Sequence, residues 1–170
     1  MKKLVFLAIA LLVAGGCASS KLPSASTTLS STSGSTAKGT VTFHQLKTGQ
    51  VEITATLTGV PAGVHGFHLH DKGDCGDNGN AAGGHFNPTS MPHGAPDATS
   101  HHAGDFGNVN ADDSGNVSVT RTVSGITVTE GPNSVVGHAV ILHGNPDDLT
   151  TQPTGNAGPR IACGVVALNP

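Results

Sequence analysis

From Lys38 onward, no stretch of this chain repeats apolar residues at a helical spacing long enough to build a helix. It carries instead short runs rich in Val, Ile and Thr, broken every few residues by Gly, Pro, Asn or Asp. "GTVTFHQL" and "VEITATLTGV" alternate apolar with polar residues, and "LKTGQ" is a turn between them. "GVHGFHLH" follows the turn signal "VPAG", "NADDSGNVSVTRTV" reads as strand, turn, strand, and "RIACGVVAL" closes the chain as a last strand. "SVVGHAVILHG" is more continuously apolar and reads as a strand buried on both faces. Short strands with turn chemistry between them predict an antiparallel sandwich or barrel. Two loops are long for such a fold, residues 71–105 and the stretch "HGNPDDLTTQPTGNAGPR". Loops of that length in a compact domain usually serve a function.

The first 16 residues are of another kind. Lys2 and Lys3 precede an unbroken apolar run, Leu4 to Val13, too short to span a bilayer and followed by small residues, as in a secretory signal. The run ends in "LVAGGC". Cys17 there resembles the lipidated cysteine of bacterial lipoproteins, with Ala14 where Leu is usual; ordinary cleavage that leaves a free Cys17 is the alternative. Ser19 to Thr36 is dominated by Ser, Thr, Ala and Gly, with too little apolar surface to offset the entropy of ordering it. Residues 17–37 therefore read as a flexible tether and 38–170 as one domain. Taking Lys2 and Lys3 from the eight Lys and Arg leaves six, against eleven Asp and Glu. A net negative chain without a basic patch is not built for nucleic acid. If Cys17 carries lipid, Cys75 and Cys163 remain as a candidate pair in an oxidising compartment, with two buried thiols as the alternative. A bridge would close an 88-residue separation, for which the chain-entropy relation gives about 4–5 kcal/mol.

The histidines carry the chemistry. Residues two apart in a strand share a face, so His68 and His70 lie about 6–7 Å apart on one side and can offer two nitrogens to one metal. His143 ends the apolar strand "AVILH" and can add a third. The first long loop spaces His85, His93, His102 and Asp105 through turn-rich sequence, with His101 a rival to His102. His44, His65 and His138 stand apart and read as ordinary surface or core residues. An imidazole-dominated donor set without a soft thiolate suits copper or zinc. Three His and one Asp suit a closed zinc site, whereas an all-His set that reaches solvent suits copper and redox chemistry.

Five motifs, "GFHLH", "GGHFNP", "HGAPDATSHHAGDFGNV", "GHAVILH" and "GNAGPRIACGV", resemble those of copper/zinc superoxide dismutases, in that family's order, over Gly39 to Leu168. The resemblance implies an all-β, eight-stranded antiparallel Greek-key barrel with two long loops holding the metals outside it. It implies His68, His70, His85 and His143 as copper ligands and His85, His93, His102 and Asp105 as zinc ligands, so that His85 bridges one copper and one zinc per chain. Family spacing favours His102 over His101. Arg160 corresponds to the arginine that guides the anion, Asp147 to the carboxylate linking one copper ligand to one zinc ligand, and Cys75–Cys163 to the intrasubunit disulfide. Superoxide is the implied substrate, converted to O2 and hydrogen peroxide. A non-enzymatic copper/zinc-binding protein on the same fold is the alternative, and an exported zinc-binding adhesion domain a more distant one.

The chain departs from the family pattern in three places. The opening strand would fall in "STTLSSTSG", polar enough to suggest at best a weak edge strand. The loop before Arg160 has no Lys or Glu after Asp148 to steer substrate. The sequence also has no Trp or Tyr, the usual large anchors of a dimer interface, which leaves a homodimer possible but unsupported. The expected location is the bacterial cell envelope, periplasmic or held at a membrane face through Cys17 alone.

Overall fold

The structure, a computed structural model, describes residues 21–170. Among the described residues, nine antiparallel strands form one sheet that curls into a nearly closed barrel: β1 (Ser24–Ser31), β2 (Lys38–Gln45), β3 (Val51–Thr58), β4 (Gly63–His70), β5 (Asp105–Ala111), β6 (Val117–Val123), β7 (Ala139–His143), β8 (Arg160–Val165) and β9 (Ala167–Leu168). Around the barrel the order is β5-β4-β7-β8-β1-β2-β3-β6, with β9 paired to β1. The predicted last strand is thus two pieces, β8 and β9. Among the described residues the helical content is a broken 3₁₀ segment, Asp77–Ala82, and no helix is long and apolar enough to cross a membrane.

Alternation sets which side of each strand faces in. Val41 and Phe43 of β2, and Val51, Ile53, Ala55 and Leu57 of β3, are buried while their neighbours are exposed or half-buried. Phe106 packs between Phe43 and Phe67 at centroid separations of 6.3 and 5.9 Å and fills the centre of a barrel that has no larger aromatic. β4 and β7 are buried on both faces. Phe67, Leu69, Val140 and Leu142 join the barrel core, whereas Ala139 and Ile141 pack outside it against Ala82 and Cys163. The barrel is laced where β5 meets β6 by Arg121, whose guanidinium donates to the carbonyls of Phe106 and Asn108.

The N-terminal segment overturns part of the tether reading. Residues 24–31 are neither a tether nor an edge strand. β1 pairs with β2 from Ser24↔His44 to Leu29↔Gly39, then crosses to β8 at Ser30↔Cys163. Its polar composition hid an inward face of Ala25, Thr27 and Leu29, all buried. Ladder hydrogen bonds belong to the backbone, and Thr suits a pleated strand, so three inward side chains suffice when strands wait on both sides. The signal segment 1–16 and Cys17 lie outside the described residues.

Leu29→Ala should therefore cost about 2–5 kcal/mol of stability, read as a shift in the midpoint of urea unfolding. The same substitution in a tether would leave the midpoint in place.

Candidate metal centre

Backbone pairing beside β4 brings the histidines together. The loop 71–104 returns antiparallel to β4: Phe86 N–H donates to Leu69 O at 2.8 Å, Leu69 N–H to Gly104 O at 3.0 Å, and Asp71 N–H to Gly84 O at 2.9 Å. His85 therefore sits beside His70. On the other flank β7 places His143 near the pair, and an irregularity between Gly66 and His68 sets His68 opposite Asp105. Inward from β4 lie Phe67 and Leu69; on its outer face His68 and His70 are fully buried beneath the loops.

Two donor groups result, His68–His70–His85–His143 and His85–His93–His102–Asp105, each with ligand atoms within 4.8 Å of one another. All seven residues are buried, and His85 belongs to both groups. These are the residues expected from sequence. His101 is in neither group; its Nδ1 faces the carbonyl of His102. His65 lies between the carbonyls of His143 and Pro61, and His138 contacts the Asp71 carbonyl and packs on Phe86, so both serve the scaffold.

In most of the rings one nitrogen is held by the chain and the other is left facing the group. His68 Nε2 meets Asp147 Oδ2 at 2.8 Å, His93 Nε2 meets Asp147 Oδ1 at 2.9 Å, and His70 Nδ1 meets Gly83 O at 3.0 Å. His143 Nδ1 is 3.3 Å from Gly158 O. The inner atoms His68 Nδ1, His85 Nε2, His93 Nδ1 and His102 Nδ1 are buried without any hydrogen-bond partner. An unsatisfied buried polar atom costs about 1–3 kcal/mol, and four in one small volume are accounted for together if they ligate metal. Spacing agrees. Asp105 Oδ1 lies 3.0 Å from His93 Nδ1 and 3.3 Å from His102 Nδ1, near the ~3.3 Å edge of a tetrahedron with ~2.0 Å metal bonds. The donors present therefore fit a closed three-His, one-Asp site beside an all-imidazole site.

Electrostatics prepare the donors. Burial, then the neighbouring rings, hold His68 and His70 well below the ordinary histidine value, and burial above all brings His143 down to about 4. Neutral imidazoles keep the lone pair that a metal needs. His102 is also lowered, by burial. His93 is raised: burial opposes this, but the carboxylates of Asp105 and Asp147 outweigh it. For Asp105 burial acts upward and is overcome by hydrogen bonds from His85 and the His102 amide, which keep the carboxyl far below its usual range. Its Oδ2 is occupied by the amides of His102 and Gly94, at 2.8 and 3.1 Å, so Oδ1 faces the imidazoles.

Some supporting residues carried no recognisable signal in sequence. Gln152 clamps both backbone groups of His93, accepting from its amide and donating to its carbonyl at 2.8 Å each, and so joins the two loops. Asn108 holds Asp147 in the same way, accepting from its amide at 2.8 Å and donating to its carbonyl at 2.9 Å. Gly155 has φ +68°, and a Cβ there would run into the Asp147 carboxylate and His93 Nε2. The Cys75–Cys163 disulfide is formed, with Cα atoms 5.7 Å apart. It ties the 3₁₀ segment to β8, and that segment receives Arg160, whose guanidinium donates to Gly79 O at 2.5 Å and Gly83 O at 2.6 Å.

Two outcomes follow for the purified protein. Asp147→Ala should weaken metal retention about 10–100-fold in both donor groups, measured by competition with a chelator. Without metal, His68, His70 and His143 protonate more readily unfolded than folded, so their contribution is present above pH ~6.5 and is lost as pH falls toward 4. His93, raised, acts in the opposite sense and is outnumbered. The melting temperature of the chelator-treated protein should drop steadily between pH 7 and 4.5; a flat profile would contradict neutral burial of these rings.

The copper/zinc superoxide dismutase family model matches residues 37–166 of the chain. Among solved structures, the chain is similar to the clock protein EA4, with 37% identity and a TM-score of 0.78, covering 87% of this chain and 96% of that one. Sequence, barrel and paired donor groups agree with the match, and the chain belongs to the copper/zinc superoxide dismutase family.

Proposed function

We propose that this protein disproportionates superoxide to O2 and hydrogen peroxide, with copper held by His68, His70, His85 and His143 and zinc by His85, His93, His102 and Asp105. The observation that carries the reading is the convergence of unpartnered buried ring nitrogens on both sides of one imidazole, in a chain of this family. When bound, copper supplies the one-electron redox chemistry and zinc a fixed charge that acidifies the shared ring.

The chain's residues have separable tasks. Asp147 fixes the outer nitrogens of His68 and His93 and thereby the direction of their inner ones. Arg160, half-buried and neighbouring His70, presents a guanidinium that attracts and positions a small anion. Two carbonyls hold it there, so little side-chain entropy is lost when the anion arrives. His85 Nε2 is a buried, unpartnered atom at which a proton can be held and passed to a reduced product. The chain is net negative and the loop 144–159 has no Lys, so positive charge near the site comes from Arg160 and from Lys72, whose side chain lies beside Gly83.

A non-enzymatic copper/zinc-binding protein on the same fold is the second reading. The similar clock protein is named for timing and not for superoxide chemistry. We further infer export to the bacterial envelope with Cys17 acylated, supported by the "LVAGGC" sequence and the formed disulfide.

Metal analysis joined to superoxide decay by pulse radiolysis separates the readings. One copper and one zinc per chain with rapid decay is expected; full metal content without decay would leave the binding protein. His85→Ala should change the copper spectrum and zinc retention together. Arg160→Ala should keep both metals and lower turnover at least several-fold, about 1–2 kcal/mol of transition-state stabilisation. Equal rates in the two proteins would remove Arg160 from the mechanism.

A further inference from the structure

We propose that the barrel docks one end directly on the lipid bilayer, through a patch around Leu22 and Leu168, and holds Arg160 on the aqueous side. The proposal rests on Cys17 being the acylated N-terminus.

The placement of β1 supplies the first argument. A tether running to Thr36 would let the domain range about 70 Å from its anchor. The structure begins β1 at Ser24, so six residues separate Cys17 from the sheet and limit the reach to about 25 Å at full extension. That is about the length of a β-strand of seven or eight residues. A barrel on so short a leash rests its N-terminal end against the lipid.

The surface at that end fits lipid. Leu22 and Leu168 are two of the exposed large apolar residues, at 39% and 57% exposure. Two adjoining cavities meet at Pro23. One is lined by Lys21 and Leu22 beside the C-terminal residues, the other by Val136 and Leu168. β9 exists only as a two-residue pairing with Ala25 and Ser26, which holds Leu168 beside the chain that leads to Cys17. Pro23 O accepts from Gln45 N–H at 3.0 Å, which brings the turn bearing exposed Lys47 to the same end. Lys21 is balanced there by Glu130 and Lys47 by Glu52, which lies opposite His44 on the same hairpin, so the patch is close to neutral and its apolar side chains carry the contact. The acyl chains on Cys17 hold that end at the surface, and the apolar patch beside them adds contact with the lipid.

The same strands orient the site. Thr32, just past the far end of β1, donates to Arg160 O at 2.6 Å, and the β8–β9 run carries Arg160 and Leu168 eight residues apart. At ~3.3 Å per residue that is about 26 Å, with Leu168 at the lipid and Arg160 away from it.

The absence of Trp and Tyr makes the test clean. Leu168→Trp and Leu22→Trp each introduce a single indole on an exposed side chain, and Val64→Trp does so at the opposite end, on exposed β4 sequence. Each acylated protein is reconstituted on vesicles of phosphatidylcholine and phosphatidylglycerol that carry bromine-labelled acyl chains. Quenching at least threefold greater at positions 22 and 168 than at position 64 is expected. Equal quenching at all three positions, with acyl chains on Cys17 confirmed by mass spectrometry, overturns the docking face and leaves the anchor. A native N-terminus without acyl chains overturns the anchor and the docking together, while the metal chemistry stands apart from both.

Discussion

The carboxylate of Asp147 stands between two imidazoles of different donor groups, 2.8 Å from His68 and 2.9 Å from His93, and both rings take their orientation from it. Neither ring could hold its inner nitrogen in place by packing alone, because an imidazole rotated by half a turn occupies nearly the same space. The carboxylate removes that freedom by engaging one nitrogen, and the other is then directed at the donor group. Asp147 is itself immobilised by Asn108, which pairs with both of its backbone groups, and Asn108 O is tied by Arg121 across the β5–β6 boundary. A line of hydrogen bonds thus runs from the barrel wall to the rings of His68 and His93, and the rigidity of the sheet is passed to the donors.

Loop 71–104 depends on a different restraint. Of its apolar side chains, Phe86 enters the barrel core and Ala82, with Cys75 beside it, joins the small cluster outside the barrel. The disulfide to Cys163 and the pairing of His85 beside β4 hold it down. Arg160 depends on the same restraint, since its guanidinium is seated by Gly79 and Gly83 of that loop. Cross-link, loop and arginine form one unit, and because Gly83 also holds His70 Nδ1, the bridge restrains Arg160 and a donor ring together.

Residues 24–31 show where composition misleads. A stretch of Ser, Thr and Ala resembles a linker because linkers are poor in apolar area, yet the same residues alternate, and alternation decides whether a strand can lie on a core. With Leu29, Thr27 and Ala25 inward, the strand bridges β2 and β8 and helps to close the barrel. Its polar outer face is what a sheet exposed to water requires.

Local pattern in the sequence determined the strand content, the two functional loops and the types of donor atom. Period-two alternation, turn residues and a run such as "HLH" act over a few residues and need no distant partner. Spacing along five motifs further determined which histidines belong together, because the family resemblance carries positions as well as residue types. Tertiary structure alone decided which nitrogen of each ring is free, since that depends on a carbonyl or carboxylate brought in from elsewhere: Gly83 for His70, Gly158 for His143, Asp147 for His68 and His93. It alone revealed the clamps by Gln152 and Asn108, ordinary amides whose partners lie 59 and 39 residues away. It alone set the length of chain left between Cys17 and the barrel, because a polar strand is recognised only by the two neighbours that pair with it.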